Sequence, residues 1–210
     1  MKPGERTDQR REAGQRTRTR LLDAALDLLA ERGEGSVSLR DVTEAAGANV
    51  AAVSYHFGSL KALRDAAIEH ALEHYLDAQQ QAVSVLGPES TLEEVATAFA
   101  RPMIRALAAG GRDLDVMRIV ARSGIDPPPA WSRFDARFER IRAAVAPALK
   151  ANVADVSDRE LIFRTRCAAG LMNWLALAAV GAELRGSSEK QIERRLVPVL
   201  AGVFGGPTAT

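Results

Sequence analysis

The chain has 210 residues, 47 % hydrophobic and 26 % charged, with a net charge of +1. That is the make-up of a soluble globular protein with enough apolar material for one sizeable core, or for a small domain beside a larger one. The single cysteine, Cys167, excludes an internal disulfide framework and fits a reducing compartment. The N-terminal run lacks the apolar centre of a secretory leader. The longest apolar stretch, residues 167–182, is broken by Asn173 and too short to span a bilayer, so a cytoplasmic location is expected.

Apolar residues recur at helical spacing almost throughout and strand-like alternation is rare, so the expected fold is all-α. The first twenty residues hold seven basic side chains against three acidic ones. Residues 1–16 are expected to form a flexible basic arm, either a solvated leader or one that follows a phosphate backbone. A first helix is expected over residues 17–32, with Leu22, Ala25, Leu26 and Leu29 on one face and Gly33 as its stop. Ser38 followed by Asp41 resembles a capping box and starts a short helix that ends at Gly47. GANVAAVSYHF supplies a third short helix with Asn49 as its N-cap, and Ser59 starts a long fourth helix reaching towards residue 85. Further helices are expected over residues 91–109, 112–123, 130–151, 157–184 and 188–203, disturbed at Pro102, Pro147 and Pro198. The run IDPPPAW is read as a rigid loop and residues 206–210 as a disordered tail.

A short helix, a glycine turn and a second short helix make a helix-turn-helix, whose second helix enters the DNA major groove. Val42, Ala46, Val53 and Phe57 give the pair an apolar inner face, while the outer face from Ala48 to Phe57 is small and free of acid. TRTRLLDAALDLLAERG, VSLRDVTEAAGANVAAVSYHFGS and LKAL resemble the DNA-binding domain of the tetracycline-repressor (TetR) family, over roughly residues 17–65. The recognition-helix run with RDLDVMRIVARSGIDPPPAW is also similar to the branch regulating fatty-acid and related metabolism. The resemblance implies a helix-turn-helix domain over residues 17–60 and a larger helical bundle over residues 61–205 for effector binding and dimerisation.

For double-stranded DNA the resemblance implies that Arg40 meets a guanine or a phosphate. Asn49, Val50, Ala51, Ala52 and Ser54 would form the reading surface, Tyr55 and His56 would bind phosphates, and Ser59 would cap helix four. The family's lysine at the start of helix four is Leu60 here; Lys61, one place later, leaves the helix about 100° away. Glu34 and Thr43 also depart from the family pattern without breaking the fold. A face of Val50, Ala51 and Ala52 offers methyl groups to thymines, so the operator is expected to be read by Arg40, by methyl contacts and by DNA shape.

In the larger domain the resemblance implies an effector pocket and a homodimer interface. Pocket candidates are Phe99, Met103, Leu107, Met117, Trp131, Phe134, Phe138, Met172, Asn173 and Trp174, with Arg118, Arg122 and Arg166 available to an anionic head group. Such a set points to an apolar ligand, with a carboxylate or acyl compound one option. For the dimer, Gly170, Ala178 and Gly181 permit close helix approach, and Ile192, Leu196, Val199 and Val203 form a stripe. No cofactor is expected. His70 and His74 sit four apart near Glu73 and Asp77, but without a third ligand they read as a solvated polar face. A helical enzyme is disfavoured, because the sequence shows no Glu-x-x-His pair, no phosphate-binding glycine loop and no nucleophile–base set.

Overall fold

The computed structural model describes residues 3–125, 129–177, 183–184 and 186–207. Among them there is no strand. The helices are α1 (Pro3–Arg32), α2 (Leu39–Ala45), α3 (Val50–Phe57), α4 (Leu60–Val83), α5 (Leu92–Ala109), α6 (Gly111–Ile125), α7 (Asp135–Asn152), α8 (Asp158–Leu177) and α9 (Glu189–Gly205). The chain divides into two compact units, residues 1–71 and 72–210, with the division inside α4. That division falls later than the 60/61 boundary read from the sequence. Leu63, Ala67 and Ala71 recur every fourth residue, so one face of early α4 is buried.

In the first unit the expected stripe of α1 is buried: Leu22, Ala25, Leu26 and Leu29, joined by Leu21. Val37, Val42, Ala46, Val53 and Leu63 complete the core. Each buried valine or leucine among them contributes about 1.5–3 kcal/mol. The guanidinium of Arg64 donates to the Val37 carbonyl, tying α4 to the segment before α2.

The first helix departs from expectation. It starts at Pro3, so residues 3–16 take the form of the first half of α1. Proline is tolerated at a helix start, and the Arg, Gln, Glu and Ala that follow favour helix. Arg16 pairs with Glu12 one turn away at 3.9 Å, and the Thr17 hydroxyl donates to Ala13 O at 3.0 Å.

In the second unit α5 lies along α9 and α6 along α8, while α7 contacts α5, α8 and α9. Phe99 and Phe204 meet edge to face, with ring centroids 5.5 Å apart. Buried Arg164 pairs with Glu160 at 2.8 Å and donates to Phe204 O, closing the last turn of α9. The prolines at which these helices were expected to be disturbed do not divide them: α5, α7 and α9 run through Pro102, Pro147 and Pro198 as single helices. Pro147 and Pro198 are exposed, and so are Ala143 and Arg194 four residues before them. Water can therefore reach the carbonyls that lose a partner. Pro129–Phe134 winds into a 3-10 turn rather than a loop, since the fixed proline φ suits that geometry. Residues 126–128 of the same run lie outside the described residues.

Candidate nucleic-acid interface and effector cavity

The helix-turn-helix is built from local capping. The Ser38 side chain accepts from Asp41 N at 3.2 Å, and Ser38 N donates back to Asp41 Oδ2 at 2.9 Å. The hydroxyl and backbone amide of Ser38, with Arg32 nearby, hold the Asp41 carboxyl below the usual carboxylate range. Thr43, the departure from the family pattern, is buried in α2 but satisfied, its hydroxyl donating to Leu39 O at 3.0 Å. Gly47 sits in the turn at φ +56°, where a side chain would be strained. Asn49 then caps α3 by accepting from Ala52 N at 2.9 Å.

Val53, 1 % exposed, is the anchor of α3. The opposite face looks outward. Arg40, Asn49, Ala51, Ser54 and Ser59 are exposed, Ala52 and His56 are partly buried, Val50 is 51 % exposed and Tyr55 84 %. No ion pair or hydrogen bond engages the Arg40 guanidinium among the described residues. The Tyr55 and His56 rings meet edge to face at 4.9 Å, and the Arg18 guanidinium lies 5.2 Å from the centre of the Phe57 ring. Ser59 accepts from Ala62 N at 3.1 Å, which makes it the N-cap of α4. Lys61 is exposed but salt-bridged to Asp65 at 2.7 Å, so a phosphate would have to compete with that carboxylate. The arrangement is therefore an outward-facing short helix, held by one buried valine, with polar and methyl groups at its tip and cations on either side. That is what a groove-reading helix needs.

The second unit contains a cavity of about 460 Å³ lined from α4 to α8. Leu72, Tyr75 and Gln79 come from α4, Phe99 from α5, and Val120 and Gly124 from α6. Trp131 and Ser132 come from the 3-10 turn, Asp135, Phe138, Ile141 and Arg142 from α7, and Thr165, Arg166, Ala169 and Asn173 from α8. Burial pushes the Tyr75 phenol up to about 12 even though Gln79 hydrogen-bonds it, so it stays protonated. Gln79 Nε2 also donates to Phe99 O at 3.2 Å, and the Thr165 hydroxyl donates to Leu161 O at 2.8 Å. Most polar groups in the wall are thus committed to the protein. A Cβ on Gly124 would lie 2.7 Å from Asn173 Nδ2, so the bare α-carbon there is what leaves the amide its place.

Of the pocket candidates, Phe99, Trp131, Phe138 and Asn173 line this cavity, and so does Arg166. The others do not. Met103, Leu107, Met117, Phe134 and Met172 are core residues. Arg118 is held by Asp115 at 2.8 Å and by Ala176 O at 3.3 Å, Arg122 is exposed, and Trp174 is 53 % exposed on the surface of α8. The sequence reading missed Tyr75 and Gln79, having singled out on this helix only the polar face of His70, Glu73, His74 and Asp77. Part of that face is instead taken by Arg137 of α7, which hydrogen-bonds Gln80 Oε1 at 2.8 Å and pairs with Asp77. Among the described residues no group of three or more His, Cys, Asp or Glu could hold a metal ion.

The expected dimer stripe divides. Ile192 and Leu196, at 0 % and 5 % exposure, are buried in the core of their own unit. Val199 is 54 % exposed and Val203 partly so. Gly170 is exposed with open space above it. Ala178 and Gly181 lie outside the described residues. Cys167, Gly170 and Trp174 form an exposed row with Phe163, itself 61 % exposed. No helix among the described residues is long and apolar enough to cross a membrane.

A capped helix-turn-helix in one unit and a cavity-bearing helical bundle in the other define a class of protein: DNA-binding regulators that carry a separate ligand-binding unit. Residues 21–67 match the family model of the bacterial regulatory proteins of the tetR family, and residues 97–202 match the tetracyclin repressor-like C-terminal domain. The chain belongs to the TetR family of transcriptional regulators, which are not enzymes. No curated protein matches its sequence. Solved structures of similar fold include the TetR family transcriptional regulator PfmR from Thermus thermophilus, with TM-score 0.62, 19 % identity, and 91 % of this chain and 96 % of that one covered. Salmonella enterica GusR aligns with TM-score 0.58 and 20 % identity, over 90 % of this chain and 95 % of that one. The ketosteroid transcriptional regulator KstR2 of Mycobacterium tuberculosis aligns with TM-score 0.57 and 17 % identity, over 88 % and 93 %.

Proposed function

We propose that the chain is a ligand-released repressor that acts in the cytoplasm and reads a palindromic operator as a homodimer. The observation that carries this is α3, anchored by Val53 and presenting Val50, Ala51, Ser54 and Tyr55 to the outside. Arg40 reads a guanine, the methyls of α3 meet thymines, and Tyr55, His56 and the cap at Ser59 hold phosphates. Lys61 contributes less, because Asp65 competes for it. Two copies pair through the exposed row on α8 and through Val199 and Val203 on α9, which supports two recognition helices spaced by about 34–36 Å.

The effector is a small, largely apolar molecule with aromatic or extended carbon surface. Phe99, Phe138, Trp131 and Tyr75 face it, and the polar atoms left to orient it are those of Asn173, Arg166 and Asp135. An anionic head group would meet Arg166 rather than Arg118 or Arg122. Helix α4 carries cavity residues in its second half and core residues of the DNA-reading unit in its first, so one element belongs to both. A ligand that prefers the state unable to bind DNA shifts the population toward that state and so releases the operator. The test is Arg40→Ala against a panel of operator variants. It should cost about 1–3 kcal/mol and relax specificity at one symmetric base pair. Equal weakening on every variant would make Arg40 a phosphate contact and remove it from the reading set.

A further inference from the structure

The N-terminal half of α1 has no part in the core, yet at Gly14 it comes up against the reading head. Gly14 faces α3 closely: a Cβ built there would lie 3.8 Å from His56 Cε1. One turn later Arg18 lies over Phe57, so this stripe of α1 runs along the C-terminal end of the recognition helix. With about 100° per residue, Arg18 and Arg11 fall within roughly 40° and 60° of Gly14 on the helix circumference. Arg11 is exposed, and at about 1.5 Å rise per residue it stands roughly one turn beyond the point where α1 touches His56. The helix continues from there to Pro3.

We infer that the helix before Gly14 is a rigid basic extension of the reading head, and that its Arg11 binds DNA phosphates flanking the half-site that α3 occupies. The inference rests on the operator reading above and adds a contact to it. The occupant follows from charge and place. An exposed guanidinium carried on a helix that passes the end of α3 is placed to meet the same duplex just outside the bases being read. The rigidity matters, because a helix fixes Arg11 before binding, whereas a flexible arm would have to be ordered at a cost. It also selects the phosphate backbone over the minor groove, since a straight helix cannot thread the narrow groove as an extended arm does.

Full-length dimer is used to select a site from random duplexes, and binding is measured against salt on a long duplex and on one trimmed to the half-sites. Arg11→Ala should weaken binding several-fold on the long duplex, equally for every operator variant. It should flatten the salt slope by about 0.9 per lost phosphate, hence about 1.8 for the two-fold dimer. On the trimmed duplex it should match the wild type. Gly14→Pro keeps every charge but breaks the helix, which circular dichroism registers, and should show the same loss with an unchanged melting transition. An Arg11→Ala protein with wild-type affinity and slope on the long duplex overturns the inference. So does a Gly14→Pro protein that binds as the wild type while Arg11→Ala is impaired, because that describes a flexible arm. A loss confined to particular flanking base pairs would point to groove reading instead. Wild-type protein that selects no site overturns the operator reading and this one together, whereas a selected site with both variants unaffected overturns this one alone.

Discussion

Two valines on α3, three residues apart, should behave in opposite ways. Val53 is 1 % exposed and is the buried residue of a helix only eight residues long. Val53→Ala removes two methyl groups, at about 0.8 kcal/mol each, and leaves a small cavity, for a total of about 2 kcal/mol. Because α3 has little else to hold it, the loss falls on its attachment to α1 and α2. The amide of Gly58, bonded to Ser54 O at 3.0 Å, should exchange with solvent about thirtyfold faster. DNA affinity should fall uniformly across operator variants. Val50 is 51 % exposed. Val50→Ala should change stability by less than about 0.5 kcal/mol and leave Gly58 exchange unaltered, while weakening binding only on operators that keep the contacted thymine methyl. Hydrogen exchange followed by mass spectrometry, with fluorescence anisotropy on the operator panel, reads both effects. If Val53→Ala left Gly58 protection unchanged, the anchoring of α3 would be wrong. If Val50→Ala destabilised the unit as much as Val53→Ala does, the assignment of its outward face would be.

Gly124→Val should push the Asn173 amide into the cavity and reduce effector-induced stabilisation by tenfold or more in apparent affinity, with the basal melting temperature little changed; calorimetry with a responsive ligand checks it. Val199→Glu, placing a charge on the exposed face of α9, should shift the dimer to monomer in sedimentation and abolish operator binding without unfolding the bundle. The depressed Asp41 carboxyl stabilises the first unit above its unfolded value, and this contribution is lost as pH falls through the lower folded value. The gap in melting temperature between wild type and Asp41→Asn should therefore shrink as pH falls through and below the ordinary carboxylate range.

The parts legible in the sequence are those governed by nearest neighbours. The Ser38–Asp41 box and the Asn49 cap depend on residues three apart, and both stand where their spacing placed them. Gly47 is equally local, since its positive φ is written into the turn. The apolar stripe of α1 was readable because helical period alone exposes it. Its start was not, because charge density had been taken as disorder, while Arg, Gln and Glu are good helix formers once they have i,i+4 partners. The cavity was half legible. Phe99 and Phe138 line it, but Met103 and Leu107 have the same apolar helical setting and point into the core instead. Periodicity gives a buried face and cannot say which part of that face borders empty space. Ile192 and Val199 show the same limit, for an apolar stripe may serve a chain's own core on one edge and a partner on the other.

The most direct measurement is selection of random duplex DNA on the purified full-length protein, repeated at two salt concentrations. A recovered palindrome with half-sites about 34–36 Å apart, bound by a dimer and weakened by salt, is the expected result. Weak, salt-sensitive binding with no enriched sequence would contradict the claim that α3 and Arg40 read DNA.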